Sequence, residues 1–302
     1  MLPLLTLRLE LQQQQSLRLP LHAGSMLRGA FGMALKKLAC ITRQPDCKTC
    51  PLYRSCAYTQ IFETPTPLLE TATPIQSVNP YVISAPNMGE KIIYSGESWS
   101  FGMTLIGKAI DQLPLVAYAW QKACEGGFSK TQSAAQLTGI FQGDNCIYTP
   151  NSSLKTTVLQ QVHTPNLQHK ATLNFVTPLR LQSKGMIMLQ PAQITASHLL
   201  MILAKRTQRL ADLHTHHAPQ LDFNALKNAA EKITLQHQLK RDTLTRYSNR
   251  QQQLMDLDGL IGSITLEGDL APFAELLAMG EYVHVGKSAT FGLGKYTLEN
   301  IK

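Results

Sequence analysis

Long unbroken hydrophobic runs are missing from this chain of 302 residues. Its apolar stretches are interrupted too early to span a bilayer, as where Lys108 and Asp111 break the run ahead of residues 113–120. No membrane partner is expected. The segment from Met1 to Glu10 also lacks the basic n-region and small-residue cleavage site of a signal peptide. A cytoplasmic location is expected, and in that reducing compartment the six cysteines are not expected to pair as disulfides. Two nucleotide-binding patterns are absent as well: no Gly-x-Gly-x-x-Gly precedes a helix, and no Gly-Lys-Ser/Thr closes a Gly-x4 loop. No helix-turn-helix or zinc-finger helix can be placed, which disfavours a zinc-containing DNA-binding regulator. Acidic residues are the scarcer sign, 20 Asp and Glu against 28 Lys and Arg, leaving a formal charge of +8. That imbalance favours a polyanionic partner such as nucleic acid. The 44% hydrophobic content excludes a disordered tail, and the length suffices for two packed domains.

Residues 5–11 alternate apolar and polar, the period of a strand with one buried face. A helix is predicted over 25–39, with Leu27, Ala30, Phe31, Ala34, Leu35 and Leu38 on one stripe, Ser25 as its cap, and Gly29 and Gly32 marking a close approach of another backbone or a ligand. A loop rich in Cys and Pro follows. Residues 64–90 hold five prolines and read as irregular or edge-strand structure. A strand at 98–106, a helix at 109–124 and a strand at 135–141 complete the order of a ferredoxin-like unit. A second cycle begins at Lys170 with a strand in which Pro178 marks an edge or a bulge. It continues with helices at 197–217 and 225–240, strands at 259–267 and 281–285, a glycine loop, and a last strand at 295–298. The linker is placed near 149–153, dividing the chain into domains 1–150 and 151–302.

Three constellations stand out. Cys40-x6-Cys47-x2-Cys50-x5-Cys56 offers four thiolates to one ion, and structural zinc is expected there, with an iron–sulfur cluster or free buried thiols as alternatives. Cys124 and Cys146 read as core residues. Gly286, Gly292 and Gly294, with Lys287 and Lys295 at the rims, form a loop whose backbone N–H groups can grip phosphate; a simple tight hairpin accounts for the same residues. Lys240, Arg241, Arg246, Tyr247 and Arg250, with Lys205, Arg206 and Arg209 on the preceding helix, can track an RNA backbone while Tyr247 stacks on a base; a solvated helix face is the alternative. His214, His216 and His217 read as an exposed helix end rather than a metal site.

The block from His284 to Tyr296, His-Val-Gly-Lys-x-x-x-Phe-Gly-Leu-Gly-Lys-Tyr, resembles the glycine-rich signature of the CRISPR-associated RAMP superfamily, and specifically of its repeat-RNA-processing endoribonucleases. Three further segments fit the same group: Gly24-Ser-Met-Leu-Arg-Gly-Ala-Phe-Gly32 with the cysteines after it, Phe175-Val-Thr-Pro-Leu-Arg180, and Arg246-Tyr-Ser-Asn-Arg-Gln251. The resemblance implies an α+β fold of tandem ferredoxin-like (RRM-like) domains with the cysteine-rich segment as an insertion. It also implies binding of CRISPR repeat RNA, with other CRISPR effector subunits as further partners. The implied reaction is metal-independent cleavage, leaving a 2′,3′-cyclic phosphate and a 5′-hydroxyl with no catalytic metal. Family members often carry a catalytic histidine between the first strand and first helix, where His22 stands, with Arg28, Lys36 and Lys37 on the helix behind it as RNA contacts. His284 is the second candidate base. For both histidines a hydrogen-bonded structural role is the alternative. A non-catalytic RAMP subunit that grips guide RNA without cutting it is the rival reading.

Overall fold

The computed structural model describes residues 2–66, 77–86, 89–248 and 253–300, and of residues 245–248 and 253–255 the backbone alone. Two compact units make up the chain: Met1–Gln160 with Leu210–His217, and Gln161–Arg209 with Ala218–Lys302. Both are α+β, and each repeats the strand–helix–strand–strand–helix–strand order of a ferredoxin-like fold.

The first unit runs β1 (Leu4–Gln13), β2 (Leu17–Leu19), α1 (Gly24–Ala39), α2 (Ala57–Phe62), β3 (Tyr81–Ser84), β4 (Lys91–Ile93), β5 (Ser98–Ile106), α3 (Leu113–Gly126), β6 (Ala135–Gln142) and β7 (Asn145–Tyr148). Its main sheet has the antiparallel order β3-β5-β1-β6-β7. Alternation along β1 sends Leu5, Leu7, Leu9 and Leu11 into the core beside Phe31 of α1 and Trp120 of α3. Those two rings stack with centroids 4.9 Å apart, and Tyr81 meets Phe31 edge-on at 5.8 Å. Pro114 is accommodated in the first turn of α3, where a missing N–H leaves no intrahelical bond unmade. Helix α1 starts one residue before Ser25, which lies inside it rather than at the cap; Ala23 is the N-cap and makes no side-chain cap bond.

The second unit holds β8 (Lys170–Leu179), a small hairpin of β9 (Gln182–Ser183) and β10 (Met186–Ile187), the first part of α4 (Ala196–His214), α5 (Phe223–Ala230), β11 (Thr234–Asp242), β12 (Thr245–Ser248), β13 (Gln253–Asp256), β14 (Gly259–Glu267), α6 (Ala274–Val283) and β15 (Tyr296–Asn300). Its sheet order is β11-β14-β8-β15, antiparallel throughout. Two expectations are corrected here. The helix expected over 225–240 stops at Ala230, and 234–242 is instead the edge strand β11, paired along all nine residues with β14. Leu235 and Leu239 have helical spacing, but the ladder offered by β14 satisfies the backbone first. The strand expected over 281–285 is the end of α6, whose run Leu276-Leu277-Ala278-Met279 is buried. Gly280 lets that helix close on the hydroxyl of Tyr296, which donates to the Leu277 carbonyl at 2.6 Å. Strand β8 lies in the sheet interior, not at its edge. Pro178 is tolerated because β15 pairs no further along β8 than Phe175 and because β8 is itself bulged there, with residues 176–178 opposite Ile261 of β14 alone, as expected of a bulge at this proline.

The glycines of α1 differ in purpose. A Cβ at Gly32 would run into the Phe62 ring, so what approaches there is an aromatic side chain rather than a backbone or ligand; around Gly29 there is open space. Gly29→Ala is therefore expected to stabilise the protein by up to about 1 kcal/mol, and Gly32→Ala to destabilise it. Opposite shifts in the thermal midpoints of the two variants check this; shifts of the same sign would contradict it.

Candidate nucleic-acid interface

The glycine loop begins where α6 ends. His284 leaves the helix with φ of 58°, and its amide closes on the Gly280 carbonyl at 2.8 Å. Arg206, on α4, donates its Nε to the Val283 and His284 carbonyls at 2.9 and 3.2 Å, satisfying the orphan acceptors of the helix end. Burial pushes the Arg206 pKa down to about 10. This arginine is a structural brace, not a contact for an RNA backbone.

His284 is only 1% exposed. Burial first, then the neighbouring charges of Lys295 and Arg206, lower its pKa to about 3, so at neutral pH the ring is uncharged and enclosed by the loop backbone at Gly292 and Leu293. The expectation that it serves as a base is corrected: the ring shapes the loop from inside. Gly292 and Gly294 are likewise buried, with φ of 87° and 70°; their amides are taken by the Ala289 and Pro178 carbonyls. A side chain at Gly294 would strike the Val285 carbonyl, and one at Gly286 would come within 2.5 Å of the Arg180 carbonyl. These glycines let the loop fold onto itself and onto β8; Gly292 and Gly294 do not offer their amides to a ligand.

What the loop does present is its half-exposed rim from Gly286 to Ser288. Lys287 has its pKa lowered by partial burial and by the positive charge of Arg209. Two cations held near each other in this way favour an anion between them. Lys295 is half-buried and donates its backbone amide to Thr177 Oγ1 at 2.8 Å, while that hydroxyl donates to the Gly292 carbonyl.

Arg180 ties the loop to the strands beside it. Its carbonyl accepts from Lys287 N at 2.8 Å, and its guanidinium donates to the Asp258 carbonyl at 2.8 Å. Asp258 accepts in turn from Arg241 at 2.6 Å and from the Leu244 amide at 3.0 Å, and the Arg241 bond holds its carboxyl below the usual range. Leu244, Leu257 and Leu293 pack into one small cluster between the base of the β12–β13 hairpin and the loop. Lys240 and Arg241 lie exposed on β11, on a strand rather than a helix face. Arg246 and Tyr247 lie on the backbone of β12, and Arg250 lies outside the described residues. Thr177 and Asp258 were not anticipated from the sequence; only the Thr-Pro pair within the segment 175–180 hinted at the first.

In the first unit His22 occupies the turn between β2 and α1, half-buried. The cations expected behind it are mostly engaged elsewhere. Arg28 stacks on Phe62 at 4.1 Å from the ring centroid, and Lys36 stands 5.7 Å from that of Tyr58. Lys37 alone of the three is exposed. At 1.5 Å per residue, Lys36 and Lys37 sit roughly 20 Å along the helix from its start, too far to share one phosphate with His22. Of the histidine trio, His216 and His217 are exposed, but His214 is buried with Nε2 2.7 Å from the Val78 carbonyl oxygen, and burial lowers its pKa.

Cys40, Cys47, Cys50 and Cys56 line one small pocket. Among the described residues, however, no three His, Cys, Asp or Glu side chains are disposed to hold a metal as they stand. Cys124 is buried and Cys146 half-buried. Among the described residues no helix is long and apolar enough to cross a membrane.

The buried state of His284 has a pH signature. An unfolded chain takes up the imidazole proton near 6.5, the folded protein only near 3. The stability due to the neutral ring is thus complete above about pH 6.5 and declines towards pH 3, by up to about 1.4 kcal/mol per pH unit. His284→Asn is expected to flatten this acid slope; equal slopes in urea-midpoint titrations of the two proteins from pH 7 to 5 would refute the assignment.

Residues 173–296 match the family model of the CRISPR-associated endoribonuclease Cas6, and residues 2–165 match AF_1859_N, a model of an N-terminal domain. An uncharacterized protein of Archaeoglobus fulgidus is 22% identical over 297 residues, 93% of either chain. Among solved structures, a Cas6 (TTHB231) product complex, the protein of Thermus thermophilus, aligns with a TM-score of 0.61 at 14% identity, covering 99% of this chain and 100% of that one. A second, the Cas6 (TTHA0078) product complex, gives 0.57 at 17%, covering 98% and 99%. At such identities these likenesses establish the fold, and the family models carry the rest. Residues 173–296 therefore form a domain of the Cas6 family of CRISPR-associated endoribonucleases, and residues 2–165 an N-terminal domain of the AF_1859_N type.

Proposed function

We propose that the protein binds CRISPR repeat RNA and cuts it by attack of a ribose 2′-OH on the adjacent phosphate, leaving a 2′,3′-cyclic phosphate and a 5′-hydroxyl. RNA supplies its own nucleophile, so the reaction calls for a base at the 2′-OH, positive charge at the phosphorane, and an acid at the leaving 5′-oxygen, with no metal-bound water. The observation that carries the RNA-binding part is the rim of the glycine loop. Partial burial and the nearby charge of Arg209 disfavour the Lys287 cation, a cost that a backbone phosphate beside it offsets. Lys240 adds an exposed cation on β11 of the same unit. With His284 enclosed, His22 is the remaining candidate base, half-buried in the turn before α1.

The test is incubation of the purified protein with repeat RNA in excess EDTA, with a 2′-deoxy substitution at the cut site as control. A single cut that the 2′-deoxy substitution abolishes is expected. His22→Ala should slow single-turnover cleavage by about 10²-fold or more while leaving RNA affinity intact. Tight binding with no cut by the unaltered protein would instead identify a subunit that holds guide RNA without processing it. In parallel, Arg209→Ala with Lys287→Ala should weaken binding and reduce the salt dependence of log K by about 1.4, two single-stranded phosphate contacts' worth; an unchanged slope would place the RNA elsewhere.

A further inference from the structure

The four clustered cysteines have no part in the reaction just described, and their segment poses a separate physical question. From Ile41 to Ala57 not one residue is buried, and Ile41 is 84% exposed. The segment's only regular structure before α2 is a single 3-10 turn at Cys47–Thr49. Ordering a residue's backbone costs roughly 1–2 kcal/mol, and this stretch has almost no apolar burial to set against it. Nevertheless the chain returns on itself there so that all four cysteines meet one pocket: Cys40 is the C-cap of α1, Cys56 the N-cap of α2, and the turn between places Cys47 and Cys50 with Cys50 N bonded to the Cys47 carbonyl at 3.1 Å. The other two cysteines of the chain stand apart, on α3 and β7.

We infer that Cys40, Cys47, Cys50 and Cys56 bind one structural zinc ion that fastens the end of α1 to the start of α2. Three features on these residues support it. Thiolates are the preferred donors for a closed zinc site, and four complete a tetrahedron. All four cysteines line one pocket between the end of α1 and the start of α2. A zinc ion with four thiolates carries two net negative charges, and residues 36–56 contain Lys36, Lys37, Arg43, Lys48 and Arg54 against Asp46 alone. The thiols share the pocket without yet converging, so binding turns their side chains inward over the ion.

The inference does not rest on RNA cleavage, and its test does not read it. Metal analysis of the full chain, purified under reducing conditions, is expected to give about one zinc per chain. The ion should be lost in the double variant Cys47→Ser, Cys50→Ser and kept in Cys146→Ser. Stripping the unaltered protein with a chelator should lower its thermal midpoint by about 5–10 °C, reversed by added zinc. If the double variant does not fold, titration of stripped protein with Co²⁺ reads the site directly, through the intense near-ultraviolet absorption of thiolate ligands and visible bands of a tetrahedral ion. Absence of stoichiometric metal, together with a midpoint indifferent to chelator and to added zinc, would overturn the proposal, as would iron in place of zinc.

Discussion

The hydrogen bonds of Arg180 are the constraint on which the second unit's candidate interface depends. At the end of β8 this one residue turns its carbonyl to Lys287 N and its guanidinium to the chain at Asp258. The glycine loop and the start of β14 are thereby fixed from a single point. Its partial burial lowers its pKa, while Asp258 and Asp256 oppose the loss of charge. A cation that must stay charged in a partly dry setting is committed to its acceptors, which makes it a hub rather than a ligand-seeking group. Gly286 is the geometric counterpart, since only a residue without a Cβ can come so close to the Arg180 carbonyl.

The same principle separates cations that hold structure from cations left for a partner. Arg206 caps a helix end, Arg28 covers Phe62, Lys36 stands over Tyr58, and Arg241 is paired with Asp258. These four of the chain's 28 Lys and Arg are committed to the fold, whereas Lys240 stands exposed on β11. Net charge read from composition therefore overstates the interface. The decisive variable is which positive groups the fold has already spoken for.

Much of the fold is legible in the sequence because its signals are local. The alternation of β1 and the apolar stripes of α1 and α4 are periodicities within one segment, and they survive folding unchanged. Residues 234–242 and 281–283 were misread because their state is decided elsewhere: β14 provides a ladder for the first, and Tyr296 receives the second as a helix through Gly280. The candidate site shows the same divide. The glycine block marks the loop, but nothing in it reveals that His284 points inward or that Gly294 serves the backbone of Val285. Thr177 and Asp258 lie more than 25 residues away along the chain from the loop they help to hold, and spacing rules do not reach that far.

Strand β11 closes one side of the second sheet, with both of its faces largely open to solvent. The outward-facing backbone donors and acceptors of such an edge are a standing invitation to another strand, from a neighbour in a concentrated solution as much as from a cognate partner. The residues at that rim answer the hazard: Gln236, Gln238, Lys240 and Arg241 stand where β-branched side chains would favour stacking. The charged and amide side chains along that edge thus safeguard the protein against meeting itself.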